Sequence, residues 1–482
     1  MLILSEKAKQ SSLAARERAA NELVYVEEND NAIVRRLAEE AKRYDASAHG
    51  GRRMECYALF DDATSLWLLQ TVGLPEEIQQ QVDLFATTTE DLLAKALFLK
   101  LPTLTSPFPP LDRTPIAYDS DTTVHLVVVG FSAQAEALAL HAALVAHYPN
   151  YCRDTKLRTR ITLIDDHIDA GREQLTQRYH CLFDHSYYRT IDLNEATPRC
   201  LLHRPLYEQR RKDFVDIEWE FVNGNVRNEA VRQKLAEWSS DPRQQLTLAL
   251  CHADQERNYS EAFSLPQELY QQHIPVFCRA DESDLIRMAA KESAYATIHP
   301  FGTELCDLHI LRVLKQLAQR VNYVYNHCFA LAPTDPITAP SAIDEARLEP
   351  LWRQVGSLTK QYSNLFNAMT LATKMHSIGH APTDWQAYYA LTMDEINLLT
   401  AVEHNRWSVE ELILGYRPTT DEEQQLIERD IAQKKVLRRQ KIHYDLRAYD
   451  DLRADVTGKN VNVYDRALTQ GIPLIIKSCI TD

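Results

Sequence analysis

The stretch VHLVVVGFSAQAEALALHAALVAHYP (124–149) decides how the chain folds. Apart from His125 its first six residues are apolar and rich in valine, the pattern of a strand buried on both faces. Gly130 ends that run, and from there apolar residues recur at helical spacing. A membrane helix needs about 20 uninterrupted apolar residues. The break at Gly130, with Glu136 and several histidines, argues for strand, turn and helix instead. GFSAQA (130–135) therefore sits where a phosphate-binding turn belongs, directly after a buried strand and directly before a helix. Gly130 permits the tight turn, while Ser132 and Ala135 are small enough for a diphosphate to approach and for the helix to pack on the sheet.

Downstream, ITLIDD (161–166), WEFVNGNV (219–226), LTLALCHAD (247–254) and IPVFCRA (274–280) supply four further strand candidates with helical patterns between most of them. Five strands in βα alternation predict a Rossmann-like, doubly wound parallel sheet. Asp165 and Asp166 end the second strand, where an acidic side chain accepts hydrogen bonds from ribose hydroxyls. Their distance from Gly130 exceeds the usual spacing, and an insertion around 147–160 accounts for the excess. Leu308, Leu311, Leu314, Leu317 and Val321 then mark a helix leading out of the domain.

Upstream, residues 16–110 also alternate between strands and helices, without a glycine-rich loop, as a partial second copy of the same unit would. Proline-rich stretches at 101–115 and 332–350 read as linkers. The expected division is an α/β region over 1–115, a nucleotide-binding domain over 122–330 and a mainly helical domain over 350–482. A length of 482 residues suits about three domains.

Hydrophobic residues at 45% and charged residues at 25% are globular values. The formal charge of -15 argues against direct nucleic-acid binding by the whole protein. Nine cysteines without a CxxC pair, and a start too weakly apolar for a signal peptide, point to reduced thiols, a cytoplasmic location and no membrane insertion. With only 12 glycines, any dinucleotide loop must be a reduced version.

The segments LVVVGFSAQAEAL, ITLIDD, VNGNVRNEAV (222–231), LALCHADQERN (248–258) and IPVFCRA occur in the order found in the Trk/RCK nucleotide-binding family, which the region 122–302 resembles. The resemblance implies NAD or another adenine nucleotide as cofactor, with Asn225 near the adenine and Asp254 at the end of the fourth strand. The family usually has aspartate where Asn225 stands.

Four later blocks, LWRQVGSLTKQYSNLFNAMTLATKMHSIG (351–379), LTMDEINLLTAVEHNRWSVEELILGYRP (391–418), KIHYDLRAYDDL (441–452) and VNVYDRALTQGIPLII (461–476), follow the order of the RyR domain, the module repeated in ryanodine receptors and also found in bacteria. EHNRW (403–407) lies on an amphipathic helix, so Glu403, Arg406 and Trp407 are within reach of a shared pocket. Lys441, His443, Tyr449, Lys459 and Arg466 supply donors for phosphate, and an aromatic face suits a base. The bland alternative makes Trp407 core and gives Glu403 an arginine partner for structure alone. KKVLRRQK (434–441), after the acidic 421–430, reads as a solvated, ion-paired helix.

His180, Cys181 and His185, and separately His299, Cys306 and His309, lack the paired spacing of a structural zinc site, so no metal is expected. No GxSxG, Walker or HExxH motif occurs. Together these readings predict a non-enzymatic nucleotide-sensing regulator with one ligand in each of two modules. Family analogy implies a homo-oligomer and a membrane channel or a stress or defence effector as partner. The alternative is a nucleotide-consuming enzyme, either an NAD-dependent oxidoreductase or a hydrolase of a signalling nucleotide, which would need an acid or base above the turn.

Overall fold

The computed structural model describes residues 2–4, 24–26, 30–44, 53–101, 104–194, 198–206, 212–281, 284–302, 305, 307–331, 338–355, 357–380, 391–452 and 463–480. Its first sheet contains β1 (Leu2–Leu4), β2 (Val24–Val26), β3 (Met54–Phe60) and β4 (Val82–Thr88), all parallel, in the order β2-β1-β3-β4. Helices α1 (Asp30–Arg43), α2 (Ala63–Val72), α3 (Glu76–Gln81) and α4 (Thr89–Phe98) accompany it. The α/β alternation expected for the N-terminal region is present, with β1 and α3 added.

The second sheet is doubly wound. It holds β5 (Thr123–Val129), β6 (Thr159–Asp165), β7 (Tyr187–Asp192), β8 (Arg199–His203), β9 (Ile217–Asn223), β10 (Gln244–Leu250), β11 (Val276–Arg279) and β12 (Ile298–Phe301). Their order is β12-β11-β10-β5-β6-β9-β7-β8, and only the β7–β8 pair is antiparallel. Leaving out the β7–β8 hairpin, the strands run third, second, first, fourth, fifth, sixth across the sheet, the order of a dinucleotide-binding fold. The hairpin at the β9 edge had no signal in the sequence reading. The stretch 147–160, expected as an insertion, contains the short helix α6 (Asn150–Arg153).

Period-two alternation explains why β5 is apolar throughout. Leu126 and Val128 enter one core while Val127 and Val129 enter another, on the opposite face. The second core is covered by α9 (Glu229–Ser240), α10 (Gln255–Ala262) and α11 (Gln267–Gln271). The first is covered by α5 (Ala133–Val145) together with α13 (His309–Ala330) and three helices from the C-terminal third, α15 (Leu358–Ser377), α16 (Met393–Ile413) and α19 (Val463–Ile480). Buried Leu314, Ala368, Val409 and Ile472 join one hydrophobic cluster with Leu126 and Phe277. The packed core thus runs across the expected linker at 332–350. That linker is also shorter than its prolines suggest, because α14 (Glu345–Arg353) is a helix capped by Asp344 with Pro350 inside it. Residues 332–337 lie outside the described residues.

Helix α16 is buried nearly all round, from Ile396 to Leu412. A Thr392–Glu395 capping box starts it. Beyond it come α17 (Asp421–Arg429), α18 (Ala432–Arg439) and the two-residue strands β13 (Arg417–Pro418) and β14 (Ile442–His443), which pair in parallel.

Candidate functional site

β5 ends at Val129, and Gly130 takes φ +88°. A Cβ at position 130 would stand 2.5 Å from His252 Nδ1 and 2.6 Å from His252 N, so both the dihedral and the close approach demand glycine. Ser132 caps α5, its Oγ accepting from Ala135 N at 3.3 Å. The same hydroxyl donates to Cys251 O at 2.5 Å. Ala135 is buried against the sheet, as a small residue must be there. The turn is thereby fastened to the end of β10, at the point where the strand order reverses and open α/β sheets take their ligands.

Asp165 plays a different part from the ribose acceptor expected of it. Its Oδ2 accepts from Phe131 N and its Oδ1 from His167 N, both at 2.9 Å. Both oxygens therefore hold backbone, one of them that of the turn itself. Asp166 Oδ2 accepts from Asn225 Nδ2 at 3.0 Å and pairs with Arg257 Nη2 at 2.9 Å. Asn225 thus sits on this carboxylate, two strand ends from the turn. Asp254 caps α10 by accepting from Glu256 N at 3.0 Å.

Around the turn the structure gathers residues that the sequence reading passed over. Glu261 is fully buried, with Oε2 2.8 Å from His252 Nε2 and Oε1 accepting from Arg257 Nε at 2.8 Å. Burial alone would raise its pKa, but His252 and Arg257 hold the carboxyl below its ordinary value. On the other side Arg279 Nη1 donates to Gln134 Oε1, in the first turn of α5, at 2.8 Å. The i,i+4 spacing of Arg257 and Glu261 was legible as a helix pair. Their link to His252 depends on α10 folding back over the end of β10, which no local pattern encodes.

In the C-terminal region the expected pocket divides. Glu403 and Arg406 are both 1% exposed and point into the seam between α16 and α15. Arg406 Nη2 donates to Glu403 Oε1 at 2.9 Å and Nη1 to Glu410 Oε2 at 2.6 Å, while Lys374 Nζ reaches Glu403 Oε2 at 2.5 Å. Burial would raise the Glu403 carboxyl, but Arg406 and Lys374 hold it at about 2. Their charges are spent on one another.

Trp407 turns elsewhere, with its ring 4.8 Å from His443 and 5.5 Å from His404. The Tyr449 ring stands 6.0 Å from His404. Lys441 lies 4.4 Å over the Tyr416 ring and donates to Leu414 O at 3.3 Å. Trp407, Lys441, His443 and Tyr449 are thus near neighbours, joined by Tyr416 and His404. Burial pushes the His443 imidazole down to about 3, and its Nε2 has no hydrogen-bond partner. Glu411 adds a buried carboxyl that desolvation and neighbouring Glu410 push up to about 7, with Oε2 unpartnered. Arg466 follows Asp465, the partner of His404, and its Nε is buried without a partner. Lys459 lies outside the described residues.

Cys181 Sγ is 3.3 Å from His180 Nε2, and His185 Nδ1 is 2.7 Å from Cys181 O. Among the described residues no three His, Cys, Asp or Glu side chains are placed to hold a metal, and no helix is long and apolar enough to cross a membrane. Cys306 lies outside them. Comparison with protein-family models, curated proteins and solved structures yields no match to this chain.

Proposed function

We propose that the protein is a nucleotide-responsive regulator that binds an adenine nucleotide of the NAD or ATP type over Gly130–Ala135. The observation that carries this reading is the turn itself. Gly130 at positive φ lies against the end of β10 at the reversal point of a doubly wound sheet, and it leads into a 13-residue helix whose Gln134 accepts from Arg279. Free N–H groups and an aligned helix dipole favour an anion there, while Arg257 is paired with Asp166 and Glu261, and Arg279 with Asp281. Order and spacing of the blocks that resemble Trk/RCK and RyR domains support the same role, with a second, nucleotide-like ligand in the cluster of Trp407, Lys441, His443 and Tyr449. A base would stack on the rings, and Lys441 would meet phosphate. The regulated partner is then another copy, a membrane channel or an effector protein.

Calorimetry of the full chain with NAD, ADP and ATP tests the proposal, and failure of all three to bind refutes it. Turnover is a second reading, favoured by the His252 imidazole beside the turn, a group of the kind that acid–base chemistry uses. Chromatography of NAD and ATP after prolonged incubation separates the two, because a regulator returns them intact.

A further inference from the structure

We propose that His252 is the phosphate-contacting side chain of the turn, its ring held from behind by Glu261 so that Nδ1 is presented to the bound anion. The proposal rests on the nucleotide reading above and adds the group that senses the ligand's charge.

His252 stands just past β10 and is 6% exposed. Its backbone is clamped by Asn258, whose Oδ1 accepts from His252 N at 2.8 Å and whose Nδ2 donates to His252 O at 3.1 Å. The ring is fixed as well. Nε2 faces Glu261 Oε2 at 2.8 Å, and a buried carboxylate in that position requires a proton on Nε2. Nδ1 is then the working end of the ring, and it has no hydrogen-bond partner among the described residues. It is also the ring atom nearest the space above Gly130, 2.5 Å from where a side chain would begin.

An unpartnered nitrogen on a buried residue and the N-terminus of α5 therefore converge on one point. The first two N–H groups of the turn are already taken, that of Gly130 by Ile164 O and that of Phe131 by Asp165. An anion settling over the following N–H groups needs another donor; Nδ1, an acceptor in the neutral ring whose proton sits on Nε2, becomes that donor when the ring takes up a second proton with the anion. When His252 is protonated, Glu261 stabilises the positive charge from one side while phosphate accepts Nδ1–H on the other, a charge-assisted bond at both ends. A hydroxyl or amide in the same place brings no charge of its own to the bond, so the site favours phosphate. The charged groups facing this point are Glu261 and Arg257 from α10, Asp165 and Asp166 from the end of β6, and Arg279 from β11 with its partner Asp281.

The test combines NMR of the full chain labelled with ¹⁵N-histidine and calorimetry, using inorganic pyrophosphate, ADP and NAD as probes. Pyrophosphate and ADP should each move the His252 Nδ1 resonance. His252→Gln should weaken both about 10-fold to 100-fold, the loss of one hydrogen bond to a charged group, and affinities are compared at a temperature where circular dichroism shows the variant folded. Glu261→Gln should weaken them less. If ADP and NAD fail to bind while pyrophosphate still moves the resonance, the nucleotide reading falls and the anion contact stands. Wild-type affinities in folded His252→Gln overturn the inference and leave the nucleotide reading intact. If that variant does not fold, the wild-type resonance decides: no movement with pyrophosphate overturns the proposal.

Discussion

Replacing Arg406 with alanine should destabilise the helical region, not merely blunt a binding site. Arg406 is enclosed between Glu403 and Glu410, with Lys374 on the far side of Glu403. With both carboxylates ionised the four charges cancel, and removing the guanidinium leaves a buried excess of one negative charge. Glu403 keeps Lys374, so Glu410 bears the loss. Deleting one partner of a buried pair typically costs about 3–5 kcal/mol. Burial already raises the Glu410 carboxyl, so it takes up a proton in the variant, and this places the cost at the lower end, about 3 kcal/mol. For an unfolding slope of about 3 kcal/mol per molar urea, the midpoint falls by about 1 M. Tryptophan fluorescence during urea titration reads it, since Trp352 and Trp407 lie in this region. The double variant Arg406→Met/Glu410→Gln removes both charges and should recover part of the loss. An Arg406→Ala protein that keeps the wild-type midpoint would refute the reasoning and return Arg406 to the ligand pocket.

Gly130→Ala combines a positive φ with a collision at His252 and should cost about 1–3 kcal/mol, read as a lower thermal midpoint; an unchanged midpoint would mean that the turn is not held as described. Asp165→Ala should speed hydrogen exchange at Phe131 and His167, the two amides it holds, and weaken nucleotide binding about 10-fold or more through the loosened turn. Glu411, raised by burial and Glu410 to about 7, keeps its proton in the folded state above the pH at which the unfolded chain releases it. Stability therefore declines as pH rises from about 4.5 to about 7, and Glu411→Gln should flatten that decline in denaturation series across this range. His443 has the opposite sign: its burial-lowered imidazole, at about 3, makes stability fall as pH drops below the ordinary histidine range, and His443→Phe should remove that component. A fragment of residues 350–482, stripped of the face that Leu126, Val128 and Phe277 provide, should bind a hydrophobic dye; a monodisperse fragment with native near-ultraviolet dichroism would contradict the shared core.

The turn was legible because its requirements are local. Gly130 supplies the positive φ, Ser132 the cap and the valine run the doubly buried strand, and each of these is a property of residues next to one another in the chain. The partners of the charged groups were not legible. Asp165 looks the same in sequence whether it meets a ribose or the amide of Phe131. Glu403 and Arg406, three residues apart on one helix, suggested a pocket until the packing of α15 brought Lys374 against them. His252 gave no signal because its meaning comes from Gly130, more than a hundred residues earlier, and from Glu261 on a helix that folds back.

The sequence by itself determined the βα alternation, the position of the tight turn at Gly130 and the helical character of the C-terminal third. Period-two and 3.6-residue patterns are written locally by which faces must leave water. Only the tertiary structure decided that the C-terminal helices cover the α5 face of the central sheet. An apolar face shows that it must be buried, but the partner that buries it is chosen by shape and by the whole chain's packing. The same holds for the buried charges. Whether a carboxylate binds a ligand, caps a turn or closes an ion pair is settled by the first donor within about 3 Å, and that donor comes from elsewhere in the fold.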